Sequence, residues 1–568
     1  MISPGLAARI VAGPLIAALL AACASMPTSG PIVQGEQVDV AQPDSVVRAI
    51  ARPPESGMTP VEIVSGFIQA SASFEDDHAV AREYLSPLAA GSWDPSTGTI
   101  VYDGVPTLAA NGPSAVDMTA TQVGAITSEG RYEVSPPGRV ITDAFVLDLI
   151  DGQWRIADPP TGLLLSRSDV ERAFRSYPVY FLDPTFTTLV PDPRLIPVDG
   201  PGLSTSLMRA LTAGPSQWLA PGVRTALPDG TELAVDAVPV VEGVARVDLD
   251  ASALITDGAT RRALSAQVVW TLRQVPGVRS VDLNAGGQVF PVPGVGNPQP
   301  MDAWPTFDPN QMPANTAPYA VVAGRAVILD EQTPRAVPGA AGLALPPLDG
   351  IAISLDGARI AGLDTAGALW VGPLAAGQQL NEVIPEAGQS RPSFGGGTSA
   401  WVVGADGIVR EVRDDGAIVE VPIDGLSRRA TVESISISRD GTRAALIVRR
   451  GPRTFVMLAV VVLREGSAQL QSPVRVENRL ASVVDVAWAG SDRLVMLASN
   501  GAEEIQVYEI NLTRATLEPL GGPQLAERVA AAPGYPTLVQ GTDGTLYDNA
   551  GTGWRPAYRG SSPAYPGG

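Results

Sequence analysis

The chain has 568 residues, 45% hydrophobic and 17% charged, enough for several cores, since a single core rarely grows beyond ~250–300 residues. A net charge of −20 argues against nucleic acid as a partner, because phosphate binding needs a basic face, and charge alone would not hold the chain on an anionic bilayer. One cysteine and one histidine exclude an internal disulfide and a Cys-based zinc cluster, and restrict any Ser/Cys–His triad to His78 as its base.

The first element is an apolar run from Ile10 to Ala22, preceded by the lone positive charge of Arg9. It is shorter than the ~17–25 residues of a membrane span, and Gly13-Pro14 interrupts it. Its length and flanks are those of a signal-peptide h-region, which assigns residues 1–22 to a cleaved export signal. Leu20-Ala21-Ala22-Cys23 closes it. This motif resembles a bacterial lipobox, and the resemblance implies that the Cys23 thiol is diacylglycerated and becomes the new N-terminus. The alternative is ordinary cleavage after the small residues, with Cys23 incidental. Two acyl chains hold a protein stably on a bilayer where one is marginal. Residues 23–58, with ASMPTSGPIVQGEQ following the cysteine, are rich in Ser, Pro and Gly and read as a flexible tether.

Residues 59–175 read as a first α+β domain. Thr59 is placed to cap a helix carrying Val61, Val64, Phe67 and Ile68 on one face. HAVAREYLSPLAA adds a second amphipathic piece with Val80, Tyr84, Leu85 and Leu88. Strands follow, ending in ITDAFVLDLIDGQWRIADPP, a hairpin with Asp151-Gly152 as its turn and Trp154 and Ile156 facing inward. Helices followed by a curled antiparallel sheet resemble the NTF2-like fold. His78 sits beside Glu75, Asp76 and Asp77. A metal or acid–base site is one reading; a solvated loop or helix start, where acids oppose the helix dipole, is the expectation.

Residues 176–290 form a second α+β segment. YPVYFLDP is an apolar strand, and LSTSLMRALTAGP is a helix with Leu203, Leu207 and Leu211 in one stripe, stopped by Gly214-Pro215. TELAVDAVPVVEGVARVDLD is a hairpin turning at Glu242-Gly243, with Ala245, Val247 and Leu249 inward. A helix carrying Ala263, Ala266, Val269, Trp270 and Arg273 precedes a closing strand, VRSVDLNAGG. This order resembles the GerMN module of spore-germination and actinobacterial lipoproteins, which implies binding or scaffolding and carries no catalytic residues; the Asn284-Ala285-Gly286-Gly287 ending departs from that family's pattern. Residues 291–317, rich in Pro and without periodicity, read as a semi-extended linker.

From 318 to 555 the sequence repeats. IAISLDGARIAGL and ESISISRDGTRAALIV share a kernel, and their turns Asp356-Gly357 and Asp440-Gly441 lie 84 residues apart, two periods of 42. Short alternating strands at that period predict a β-propeller of five or six blades. The first, PYAVVAGRAVILD, is expected to complete the last and close the ring. The Asp-Gly pairs are expected to be tight turns with φ > 0 at both positions. Gly395-Gly396-Gly397 is not a phosphate cradle, because no Lys follows it. Trp370 and Trp401 could stack sugars, although buried blade positions are the expectation. Residues 556–568 read as a disordered tail.

In this order a lipobox, an α+β domain, a GerMN-like module and a propeller resemble the LpqB family of actinobacterial lipoproteins. The resemblance implies a lipid-anchored protein on the extracytoplasmic face of the cell membrane. It also implies an accessory role toward the extracellular domain of an Mtr-type sensor histidine kinase, in cell-envelope homeostasis and division. A cell-wall carbohydrate binder or hydrolase using the propeller is the alternative. Cys23 is the one site residue assigned, for lipidation; no catalytic, metal-ligating or cofactor-binding residue is assigned, no cofactor is expected, and the expected protein is not an enzyme.

Overall fold

Thr59 opens the first helix, Pro60–Ala70, through a reciprocal cap: its side chain accepts from the Glu62 backbone N–H, and the Glu62 carboxylate accepts from the Thr59 N–H at 2.8 Å. The computed structural model describes residues 51–198, 202–330, 333–464, 466–501, 504–514, 516–549 and 553–568; the export signal, Cys23 and most of the tether lie outside them. Val64, Phe67 and Ile68 are buried under a curved sheet. The second helical piece is broken where Ser86 caps a new helix, Pro87–Ser92. That restart changes the helical phase, so Leu88, expected on the apolar face, is 84% exposed. The sheet runs in the order Gln153–Asp158, Val140–Ile150, Ala115–Thr127, Gly98–Ala110, Leu163–Ser166. It is antiparallel except for the last pair. Asp151 (φ 50°) and Gly152 (φ 75°) form the hairpin turn, with Ile156 fully buried and Trp154 half-buried.

The second segment pairs Phe174–Leu182 with Leu189–Pro197. Its main sheet centres on Val244–Leu249 and Ser280–Ala285, which run parallel because helix Gly258–Leu272 carries the chain across between them. Every residue of that helix from Ala263 to Leu272 is buried, so it is enclosed on all sides rather than lying at the surface. The turn at Glu242 (φ 54°) and Gly243 (φ 82°) forms as expected. Regular pairing before it shrinks to Val240–Val241, since Pro239 has no N–H to offer a ladder. The Pro-rich segment after 290 is not a free linker: Gln299–Pro300 adds to the sheet edge, and the Trp270 indole N–H donates to the Trp304 carbonyl at 3.1 Å. Phe290 and Trp304 are buried in the same core, and their apolar surface is what draws the segment down.

The C-terminal segment is a six-bladed propeller. Ser561–Ala564 pairs with Tyr319–Val322 and supplies the inner strand of the first blade. Ring closure is therefore the reverse of the expectation, and residues 556–568 are not a disordered tail. Tyr565, 2% exposed, donates its hydroxyl to the Pro536 carbonyl at 2.8 Å. In the third blade the inner strand is reduced to a single bridge, Ser393 with Trp401. The Asp-Gly turns also depart from the expectation. Gly357 and Gly441 have positive φ, at 70° and 71°, whereas Asp356 and Asp440 do not. Each aspartate instead accepts from the serine hydroxyl two residues before it and from the backbone N–H two residues after it.

Candidate functional site at the propeller axis and the domain junction

Cys23 lies outside the described residues. His78 stands at a helix start, just before Ala79–Arg82, but it is not solvated: it is 4% exposed, with Phe74 at 4.6 Å and Trp93 at 5.8 Å between ring centroids. Its Nδ1 has no hydrogen-bond partner. Burial lowers its pKa, with Asp77 opposing and Arg82 adding to the effect. The acidic neighbours stay at the surface. Among the described residues, no group of three or more His, Cys, Asp or Glu is placed to hold a metal, and no helix is long and apolar enough to cross a membrane.

At the propeller axis two arginines reach across several blades. Arg439, in the fourth blade, donates to the carbonyls of Trp488 in the fifth (2.9 Å) and Ala531 in the sixth (3.1 Å). A Cβ on Gly396 of the third blade would lie 2.3 Å from the Arg439 carbonyl oxygen, and one on Gly567 would lie 3.3 Å from its side chain. A group touching this many blades stands on the axis. Burial alone pushes its pKa down to about 10, with no carboxylate among the described residues paired with it. Arg391 enters from the third blade, meeting the Val529 carbonyl at 3.2 Å and the Asp485 carboxylate at 3.4 Å. Asp485 also accepts from the Val529 N–H. This carboxylate is thus committed to a cation and a strand.

The glycine triplet has a steric role at this place, since a Cβ on Gly395 would meet Ile437 at 2.4 Å. Trp401 is buried in blade packing, and half-buried Trp370 donates to Asp364 at 3.0 Å. Neither forms an open stacking platform.

A second concave place lies where the three modules meet. Arg194 and Asp192, both buried, pair at 2.7 Å in the second module. Arg194 also donates to the Glu129 carbonyl of the first module at 2.7 Å, and the Leu195 N–H donates to the Gly130 carbonyl. Trp218 donates to the Ser472 carbonyl of the propeller at 2.8 Å, while Arg131 stacks over its ring at 4.6 Å. These contacts frame a cavity of about 480 Å³ lined by Tyr132, Pro191, Trp218, Phe455, Met457 and Arg475, among others. Its size falls in the range of small-molecule sites. No local pattern announces it, because its walls come from positions more than 300 residues apart in the chain.

Comparison with known proteins follows the same three-part division. Residues 53–171 match the profile of "Lipoprotein LpqB, N-terminal domain", residues 178–289 that of "Sporulation and spore germination", and residues 324–566 that of "Lipoprotein LpqB beta-propeller domain". Lipoprotein LpqB of Thermobifida fusca is 30% identical, covering 99% of both chains. The chain belongs to the LpqB family. Other LpqB lipoproteins fit the same frame: that of Cutibacterium acnes is 30% identical over 85% of this chain and 84% of its own, and that of Mycobacterium tuberculosis is 28% identical over 97% and 98%. Among solved structures, TolB from Acinetobacter baumannii aligns at 14% identity with a TM-score of 0.36, covering 44% of this chain and 66% of its own. The tandem GerMN domains of GerM from Bacillus subtilis align at 19% identity with a TM-score of 0.20, covering 28% and 59%. The fold of this chain rests on its own strand pairing.

Proposed function

We propose that this LpqB-family chain is exported, held on the outer face of the cytoplasmic membrane by a lipid on Cys23, and works there as a non-catalytic accessory of an Mtr-type sensor histidine kinase. In that role it tunes signalling that governs cell-envelope homeostasis and division. The carrying observation is full-length membership of a lipoprotein family, together with a lone cysteine placed directly after a short apolar export segment. The first domain, helices followed by a curved sheet, is taken to be NTF2-like. The propeller supports a binding role: its axis is filled by Arg391, Arg439 and the C-terminal residues, leaving rigid blade edges and loops as its working surface.

The carbohydrate reading draws less support, because Asp485 is paired with Arg391 and Trp401 is buried. The test is affinity capture of the tagged full-length chain from solubilised membranes, with and without crosslinker. Recovery of a sensor kinase through its extracellular domain is expected. An eluate without any kinase, or turnover of peptidoglycan fragments abolished by one Asp or Glu substitution, would overturn the reading.

A further inference from the structure

We propose that the junction cavity is a binding site for a small anionic amphiphile, a carboxylate or phosphate head on an apolar body. Its charge runs against that of the molecule. The chain carries 59 acidic and 39 basic residues, yet the cavity is lined by Arg131, Arg443, Arg450 and Arg475 and by a single carboxylate, Glu133. Glu133 is already held by Arg131 at 2.7 Å, and Arg443 is paired with Asp440. Arg475 differs. Its guanidinium lies over Phe455 at 4.4 Å, and its Nε donates to the Glu477 backbone carbonyl at 2.6 Å.

The Glu477 carboxylate is committed elsewhere, to the Arg479 side chain at 2.5 Å and to the Asn478 N–H at 2.6 Å. Arg475 thus makes no ion pair among the described residues, with the charge of nearby Glu477 favouring its cationic form, and its guanidinium sits over an aromatic ring at the wall of an apolar space. Guanidinium groups bind carboxylate and phosphate through parallel N–H donors. The remaining wall, including Pro191, Leu426, Met457 and Val474, suits a short hydrocarbon. A ligand seated here would touch all three modules, so its binding would tighten the junction. The inference does not depend on the kinase reading.

The experiment titrates octyl phosphate, octanoate, octanol, octyltrimethylammonium and inorganic phosphate into the full-length chain, followed by tryptophan fluorescence and calorimetry. The chain carries Cys23→Ala so that no attached lipid competes. Both octyl anions are expected to bind, with the alcohol and the ammonium at least about tenfold weaker and inorganic phosphate weaker still; the tighter anion identifies the head group. Arg475→Gln should weaken the anions about tenfold while the ligand-free chain keeps a near-native circular dichroism spectrum, and Met457→Trp should abolish binding by filling the space. Octanol or inorganic phosphate binding as tightly as the octyl anions would overturn the proposal. So would failure of both anions to bind, or affinity unchanged in Arg475→Gln.

Discussion

Trp218 and Ser472 join two modules across 254 positions of sequence through one hydrogen bond of 2.8 Å from the indole N–H to a carbonyl. Arg131 of the first module covers the other side of the same ring, so one side chain links three modules. Trp218→Ala removes the hydrogen bond, the stacked cation and the buried ring face, at a cost of about 2–3 kcal/mol. The loss should fall on the junction while each core persists. Limited proteolysis is expected to cut between modules faster in the variant, with near-native circular dichroism; an unchanged cleavage rate would count against this linkage.

The two axial arginines should respond in opposite directions. Asp485→Asn leaves the half-buried Arg391 without its counter-charge and should cost about 1–2 kcal/mol. Arg439 has no carboxylate partner among the described residues to lose, and burial already disfavours its charged form. Arg439→Met keeps most of its volume and gives up two bonds to carbonyls. It should therefore leave the urea midpoint unchanged or raise it, by at most about 2 kcal/mol equivalent.

Ring closure rests on the last strand. Tyr565→Ala empties a buried aromatic position and leaves the Pro536 carbonyl without its donor, which should cost about 3–5 kcal/mol. Hydrogen exchange is expected to rise first along Tyr319–Val322, the strand that Ser561–Ala564 pairs with.

His78 gives a pH test free of competing imidazoles, since the chain has one histidine. Its folded pKa lies below the ordinary 6.5, so the unfolded chain takes up a proton first as pH falls. The stability tied to neutral His78 is full above pH 6.5 and is lost as pH drops through the folded pKa. The melting temperature should fall between pH 6.5 and 5 more steeply in the native chain than in His78→Asn, which tolerates the left-handed backbone at this position (φ 58°).

For the anchor, Cys23→Ala is expected to abolish palmitate labelling and to release the protein from the membrane fraction. Continued labelling would place the lipid elsewhere.

Much of the local structure was legible because neighbouring residues carry it. Thr59 and Glu62 cap their own helix, Asp151-Gly152 and Glu242-Gly243 turn their own hairpins, and alternation at Ala245, Val247 and Leu249 states which face is buried. Reading failed where a local rule met a distant partner. Leu88 had the right spacing, but Ser86 and Pro87 restarted the helix. The 291–317 segment had a linker's composition, but Trp304 found a core formed by residues well before it. The last residues had a tail's composition, but the first blade lacked an inner strand.

The sequence by itself determined the modules, their order, the repeat of the propeller and the candidate lipid site, because capping, turn chemistry, periodicity and a short apolar leader all act over a few neighbouring residues. Only the tertiary structure decided that the ring closes through its final strand, that arginines fill its axis, and that a cation-lined cavity lies between modules. Those features depend on side chains such as Arg131, Trp218 and Arg475, which folding brings together from separate cores, and no pattern within one segment encodes a contact whose other half lies hundreds of residues away.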